Sequence, residues 1–425
     1  MASPGRGAFR LMIRLDPGGQ AVDGNERRQS KSSSEHAGLW SLDPGVHYLN
    51  HGSFGACPIP VLEFQAALRA RLEREPVDFL VRDLPGLLAG ARQALGRFVG
   101  ADPEGLVFVP NATTAVNAVL RSWNLKPGDE IVTTDHAYAA CRKTLEFLAA
   151  RRGAAIRIAR VPFPIAGPGD VVEAILAAVT SRTHLALIDH VTSPTALVLP
   201  IAEIVATLRE RGIECVVDGA HALGMLPLEL DRLGAAAYAA NAHKWLCAPK
   251  GSAFLHVRAD LRGRVRPLVV SHGYDPGSPE VRFRDEWDWT GTDDPTPYLS
   301  IPECLRVLGG LLPGGWPALM HRNHALALRG RSLVGEALGV APPCPESMIG
   351  SIAALPLPAA HPDSPVARLD MRGLATWTRE RGIESWFFPW SAPGGKLVRL
   401  SAQAYNHEDH YRALATLLVE ALRGG

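Results

Sequence analysis

The stretch Glu214-Cys215-Val216-Val217-Asp218-Gly219-Ala220-His221 is a short apolar run that ends on a carboxylate, a glycine and a histidine. Its paired valines and the turn residues after them read as a buried strand, Glu214–Asp218. Similar runs recur to either side, at Leu106–Val109, Glu130–Thr134, Ala155–Val161, His184–Asp189, Ala235–Ala240 and Ser252–Val257. Helix-like segments separate most of them: Thr114–Trp123, Ala139–Arg152, Asp170–Thr180 and Ile201–Gly212. Strands alternating with helices of that length predict βαβ units, and so an α/β fold with a large, mostly parallel sheet and helices on both faces. Ligands of such sheets sit in the crevice beyond the carboxyl ends of the strands, so the residues just after each run come first for inspection.

Outward from this core the pattern changes. Residues 1–37, rich in Ser, Gly and Arg, predict a disordered tail. Its apolar run Phe9–Leu15 is broken by Arg10 and Arg14, which excludes a signal-peptide core, and Asp16, Asp23 and Glu26 argue against a mitochondrial-type presequence. Residues 38–300 form the large domain, its N-terminal segment contributing to the small one. The stretch 260–300, full of Pro, Gly and Asp with scattered aromatics, reads as a long functional loop region. Residues 301–425 form a smaller C-terminal α/β domain: a helical stretch to Leu338, a strand Ser351–Leu357, a helix Val366–Arg381, a strand Lys396–Ser401 and a helix from Asp409.

Composition excludes several function classes. The 44 Lys+Arg against 43 Asp+Glu leave a net charge of +1, too little field to recruit nucleic acid or an acidic membrane. No uninterrupted apolar run is long enough to span a bilayer. Cys57, Cys141, Cys215, Cys247, Cys304 and Cys344 lie far apart and form no CxxC, which argues against a zinc site or disulfide framework and for a reducing, cytoplasmic setting. His407-Glu408-Asp409-His410 fails as HExxH, because the residue four after His407 is Tyr411.

Chemistry-bearing residues gather at strand ends. Lys244 lies in Asn241-Ala242-His243-Lys244-Trp245, just beyond Ala235–Ala240. A lone lysine is most often a solvated charge, but an amine buried between a histidine and a tryptophan loses its proton and becomes nucleophilic. Asp218 ends a buried strand, where a carboxylate is costly without a cationic partner; its competing role is to cap a helix opened by Gly219-Ala220-His221. His221 faces the same crevice. Asn111-Ala112-Thr113-Thr114 opens a helix, either as an anion cradle or as an ordinary cap. Asn241 and His243 would add donors from the lysine loop. Tyr138 follows Glu130–Thr134 by a short loop and reads as a ring stacker or as core, with His136 the competing stacker. Together these meet the needs of pyridoxal 5'-phosphate: a lysine for its aldehyde, donors for its phosphate and an acid for its pyridine nitrogen.

With those residues assembled, the sequence resembles the class V aminotransferase superfamily of fold-type I pyridoxal-phosphate enzymes, and within it the isopenicillin N epimerase-like branch. The resemblance spans about residues 45–423 and rests on several motifs. These are Tyr48-Leu49-Asn50-His51-Gly52-Ser53-Phe54-Gly55, Glu75-Pro76-Val77-Asp78-Phe79-Leu80-Val81-Arg82, His190-Val191-Thr192-Ser193-Pro194-Thr195, Asp218-Gly219-Ala220-His221, His243-Lys244-Trp245-Leu246, Gly291-Thr292 and Arg399-Leu400-Ser401. It implies that Lys244 carries the cofactor, Asp218 pairs with the ring nitrogen, and His221 lies near the ring oxygen with Ser193 or Thr192. It further implies that Tyr138 stacks on the ring and that Thr113, Thr114, Asn241 and His243 serve the phosphate. Arg399 would grip the α-carboxylate of an amino-acid substrate, with Asn50 and Arg82 lining the substrate side. A homodimer is implied too, Thr292 reaching the partner's phosphate site. One departure stands out. Desulfurase relatives carry a nucleophilic cysteine on a mobile C-terminal loop, whereas Cys344 sits in Ala341-Pro342-Pro343-Cys344-Pro345. That leaves an epimerase or racemase, then a carbon–sulfur lyase acting on cysteine or a conjugate, then a catalytically inactive scaffold.

Overall fold

The computed structural model describes residues 34–274, 279–390 and 395–423. Its seven-stranded sheet runs in the order Leu106–Val109, Ala253–Val257, Ala237–Asn241, Glu214–Asp218, Thr183–Asp189, Glu130–Thr134, Ala155–Ala159. From Ala237–Asn241 to Ala155–Ala159 every neighbour is parallel. Ala253–Val257 alone is antiparallel to both of its neighbours. An antiparallel return needs no crossover helix. The connection that carries Lys244 therefore stays at the carboxyl end of Ala237–Asn241 instead of being drawn across the sheet.

Both faces of the sheet are buried, and its residues divide between them with the period of two that a strand imposes. Val107, Val109, Ile131, Leu185, Leu187 and Val216 pack with the helices Ala112–Ser122 and Ala139–Arg152. Leu106, Phe108, Val132, Ala186, Ile188 and Val217 join the larger core under Pro168–Ala178, Ile201–Glu210 and Leu84–Val99. A second, antiparallel sheet sets Lys396–Ser401 between Trp386–Pro389 and Ile352–Pro356. His47–Tyr48 pairs in parallel with Ile383–Glu384, tying the N-terminal segment to this C-terminal region.

Several expectations shift. The stretch 260–300 is not simply loop, since it contains the helices Pro279–Asp288 and Thr296–Leu299. Phe283 and Trp287 bury their rings and Arg266 grips Glu286 with bonds of 2.6 and 2.7 Å, side-chain anchors that outweigh the loop-like composition. The expected helix Val366–Arg381 breaks into Pro365–Arg368 and Met371–Arg379, because Asp370 caps the second piece by accepting from Gly373 N. Two long helices, Ile59–Arg74 and Leu84–Val99, escaped the sequence reading. Most of the expected tail, residues 1–33, lies outside the described residues. Ser34, assigned to that tail, is buried and its hydroxyl donates to Ala404 O.

The N-terminal segment presses on the lysine loop. A Cβ added at Gly55 would overlap the carbonyl oxygens of both His243 and Lys244. Gly55→Ala is therefore expected to cost about 1–3 kcal/mol of stability through overpacking. Urea unfolding monitored by circular dichroism checks this, and an unchanged midpoint would mean that the loop yields freely.

Candidate active site

A cavity of about 470 Å³ opens at the carboxyl ends of the parallel strands. Lys244 and His243 from the lysine loop, Asp218 and His221 from the central strand end, and Asp189 and Ser193 from the next strand all line it. Thr113, Thr114 and Tyr138 close the other side. Volumes of this order hold small molecules with a few convergent polar groups.

Lys244 Nζ lies 3.2 Å from His221 Nε2. Burial, then the nearby Arg399 guanidinium, brings the lysine pKa down to about 8 against the pull of Asp218, Asp189 and Cys141. Burial, reinforced by Lys244 and Arg399, holds His221 well below the ordinary imidazole range, so its ring is neutral. Asp218 is almost fully buried; its Oδ1 accepts from Ala220 N at 3.0 Å and its Oδ2 from the Cys141 thiol at 3.1 Å. No helix opens at Gly219-Ala220-His221, which corrects the helix cap considered for Asp218: the backbone bond closes a turn, and the carboxylate lines the cavity.

Asp189 was not anticipated. It pairs in register with Asp218 on the adjacent strand, which puts two carboxylates side by side on one face of the sheet. Its Oδ2 accepts from Tyr138 N at 3.2 Å, while its Oδ1 is buried without a partner. Burial first, then Asp218, pushes its pKa well above the usual carboxylate range. Like charges at this spacing do not both ionise cheaply.

Tyr138 lines the cavity, whereas His136 does not: its ring nitrogens are engaged by Thr195 Oγ1 at 2.8 Å and Val161 O at 3.0 Å. Thr192 is likewise consumed in the core, bonding Thr195 Oγ1 and Leu197 N, while Ser193 faces the cavity. The helix Ala112–Ser122 starts at the cavity wall, Asn111 capping it through Thr114 N at 2.8 Å. Asn241 Oδ1 accepts from Ala112 N at 2.8 Å and so fixes that helix start. His243 Nδ1 is buried without a partner, and burial lowers that imidazole to about 4.

Arg399 projects from the middle strand of the second sheet and is 2% exposed. Nη1 donates to Ser193 O at 2.7 Å and Ser193 Oγ at 3.1 Å; Nη2 donates to Ser53 Oγ at 2.6 Å and Asn50 Oδ1 at 3.4 Å. Its Nε is buried without a partner, and no described carboxylate lies within ion-pair reach. Burial lowers its pKa to about 10, which still leaves it charged at neutral pH. A buried cation held only by neutral acceptors is suited to an incoming anion.

The family model for class V aminotransferases matches residues 80–285. An isopenicillin N epimerase of Streptomyces clavuligerus is 38% identical over 404 residues, covering 92% of this chain and 98% of that protein. The chain belongs to the class V aminotransferase family. A probable chloroplastic L-cysteine desulfhydrase of Arabidopsis thaliana is 31% identical over 93% of this chain and 87% of its own length. In fold, the chain resembles a cystine C–S lyase solved with its product cysteine persulfide: the TM-score is 0.74 at 23% identity, over 90% of this chain and 99% of that one.

Two residues anticipated for this class V site are not brought to the cavity. Arg82 lies in the π-helical turn Asp78–Asp83, where it is exposed and donates to Asp78 Oδ1 at 2.7 Å. Its side chain is thus held at the surface, away from this cavity. Thr292 is exposed and absent from the cavity lining, next to Gly291 with φ +138°. Asn50 reaches the site through Arg399 and does not line the cavity. Ser53, Asp189 and Cys141 were missed; only the position of Asp189 at a strand end could have pointed to it.

Asp189 also sets a test of stability. A carboxyl raised in the folded state is destabilising above its ordinary value of 3.8, and the penalty grows as pH climbs toward the folded pKa. Asp189→Asn is therefore expected to stabilise the ligand-free chain at pH 7, by about 1.4 kcal/mol for each tenfold difference in proton affinity between the folded and unfolded carboxyl. The gain should vanish as pH falls toward 3.8. Thermal unfolding across this window checks the sign; a variant less stable at pH 7 than at pH 4 relative to the parent would refute it.

Proposed function

We propose that this chain is a pyridoxal-phosphate enzyme that removes the α-proton of an amino-acid substrate and returns it on the opposite face, an epimerase or racemase of the isopenicillin N epimerase type. The observation that carries the reading is a cavity lysine brought down to about 8 together with a buried arginine, held behind the cavity-lining Ser193 and Ser53, that has no counter-ion among the described residues. The family and the 38% identity to an isopenicillin N epimerase support the same reading.

The residues present fit the cofactor. The start of the helix Ala112–Ser122, with Thr113, Thr114, Asn241 and His243, is suited to hold its phosphate, and the unpartnered His243 Nδ1 is a free polar atom there. Asp218 would pair with the ring nitrogen, Tyr138 would pack on the ring, and His221 and Ser193 would serve the ring oxygen. When bound through Lys244, pyridoxal phosphate supplies an electron sink for the pair left at the substrate α-carbon. Lys244 Nζ, brought down to about 8, is matched to taking that proton from one face of the α-carbon, and inversion requires a proton delivered to the other face. Arg399 binds the α-carboxylate with its planar fork and so orients the bond that Lys244 meets; Asn50 and Ser53 hold the fork in place.

A homodimer completes the site. Thr292 is exposed, and the neighbouring Thr290 and Asp293 share a cavity of about 210 Å³ with the exposed Leu268 and Val269, the apolar character expected of a buried interface. In this arrangement Thr292 serves the phosphate of the partner's cavity. Six free, buried thiols fit a reducing cytoplasm. No described helix is long and apolar enough to cross a membrane.

Carbon–sulfur lysis is the second reading, favoured by the 31% identity to a probable L-cysteine desulfhydrase. It begins with the same proton removal. A persulfide-forming step has no support here: Cys344 is buried, accepts from Arg331 and has its thiol pushed up by burial. An inactive scaffold is hard to reconcile with a depressed lysine and a buried arginine that has no carboxylate partner among the described residues.

Incubation of the purified chain with pyridoxal phosphate and a panel of L-amino acids, peptides and cysteine conjugates in deuterated water separates these readings. Inversion with α-deuteration supports epimerisation, and release of sulfide or pyruvate supports lysis. Lys244→Ala is expected to abolish turnover and the visible absorbance of the lysine-bound cofactor; retained turnover would sink the reading. Arg399→Lys should raise KM at least about tenfold, with cofactor affinity unchanged, since an ammonium replaces a two-pronged grip by a point charge. A fall in cofactor affinity with KM constant would assign Arg399 to the cofactor.

A further inference from the structure

An indole N–H donates hydrogen bonds and never accepts them. Trp245 Nε1 lies 3.3 Å from His221 Nδ1, so Nδ1 must present its lone pair to the indole. The His221 ring is neutral and carries one ring proton, which the indole thereby places on Nε2. Nε2 in turn stands 3.2 Å from Lys244 Nζ. With its proton on that side, Nε2 can only donate, and the lysine nitrogen can accept only as a free amine. An ammonium at the same place would set N–H against N–H.

We propose that Trp245 is a positioning residue that keeps Lys244 an uncharged amine, by fixing His221 as an Nε2–H donor. The inference rests on the reading of Lys244 as the reactive amine and deepens it, because a nucleophile and proton carrier must be unprotonated when it acts. Trp245 lies outside the cavity lining: it is 1% exposed, packed in the larger core, with its ring 4.9 Å from that of His51. Among the described residues, its indole N–H donates to His221 alone.

Other groups also act on this pair. Arg399 disfavours the charged form of Lys244, while Asp218, Asp189 and Cys141 favour it. His221 faces Lys244, Arg399 and His51, all of which oppose its protonation. These charges reach the lysine in either tautomer. Only the indole decides which ring nitrogen carries the proton. Once Lys244 is engaged elsewhere, the same lock leaves an Nε2–H donor facing the cavity.

The test uses the full chain stripped of bound small molecules. Lys244 is labelled by formaldehyde and cyanoborohydride across a pH series, and its modification is followed by peptide mass spectrometry. The parent midpoint is expected near the value of about 8. Trp245→Phe removes the N–H but keeps an aromatic ring, and should raise the midpoint by about one pH unit, slowing labelling at neutral pH about tenfold. In a His221→Phe background the same change should move nothing further, as a two-mutation cycle requires of a residue acting through His221. An equal change in both backgrounds would make Trp245 a packing residue and overturn the proposal. Should Trp245→Phe fail to fold, nitrogen-15 shifts of the parent chain, assigned against His221→Gln, report the tautomer directly, and an Nδ1–H ring overturns the proposal. All of these readouts are made without cofactor. A chain that shows the lock but never binds pyridoxal phosphate would therefore overturn the proposed function alone.

Discussion

A lysine and two carboxylates line one cavity with a buried arginine just behind its wall, and the geometry of the site follows from keeping these charges apart from water yet in balance. Lys244 and Arg399 repel each other, as do Asp189 and Asp218. Isolated charges in such a place would be prohibitive, whereas a mixed set with hydrogen-bond partners is tolerable. The strand pair Thr183–Asp189 and Glu214–Asp218 fixes the acids in register. The lysine loop and the second sheet bring the cations. Each group is thereby held where its charge state can respond to a ligand.

Arg399 shows how the second sheet serves the first. Its fork is spread by Ser193 from the large sheet and by Ser53 and Asn50 from the N-terminal segment, and that segment is itself paired to the second sheet through His47–Tyr48 and Ile383–Glu384. None of these neighbours neutralises it. The arginine is consequently positioned without being satisfied, which is the condition for binding an anion strongly and in one orientation.

The thiols tell the opposite story. All six cysteines are free and buried, and burial holds Cys57, Cys141, Cys215, Cys247, Cys304 and Cys344 above their ordinary range. Thiols in that state are poor nucleophiles. Cys141 acts instead as a weak donor to Asp218, where its small size fits beneath the strand end. The reactive burden of the cavity falls on nitrogen, not sulfur.

Sequence by itself determined the βαβ order, the strand-end positions of Lys244, Asp218 and the Asn111–Thr114 helix start, and the family, because alternation of apolar runs and local motifs are properties of neighbouring residues. It also placed Tyr138 beside His136 and Ser193 beside Thr192 without being able to choose between them. Tertiary structure put Tyr138 and Ser193 in the cavity lining, and buried His136 against Thr195 and Thr192 against Leu197. It alone revealed Asp189 beside Asp218 and Ser53 beside Arg399, since those contacts join segments far apart in the chain. It also set Arg82 at the surface, bonded to Asp78 in the turn Asp78–Asp83 and outside the cavity lining. The state of Lys244 was decided last of all, by an indole next to it in sequence whose effect passes through a histidine on another strand end. Adjacency in the chain could not show that route, because a hydrogen-bond relay exists only once three side chains are packed together.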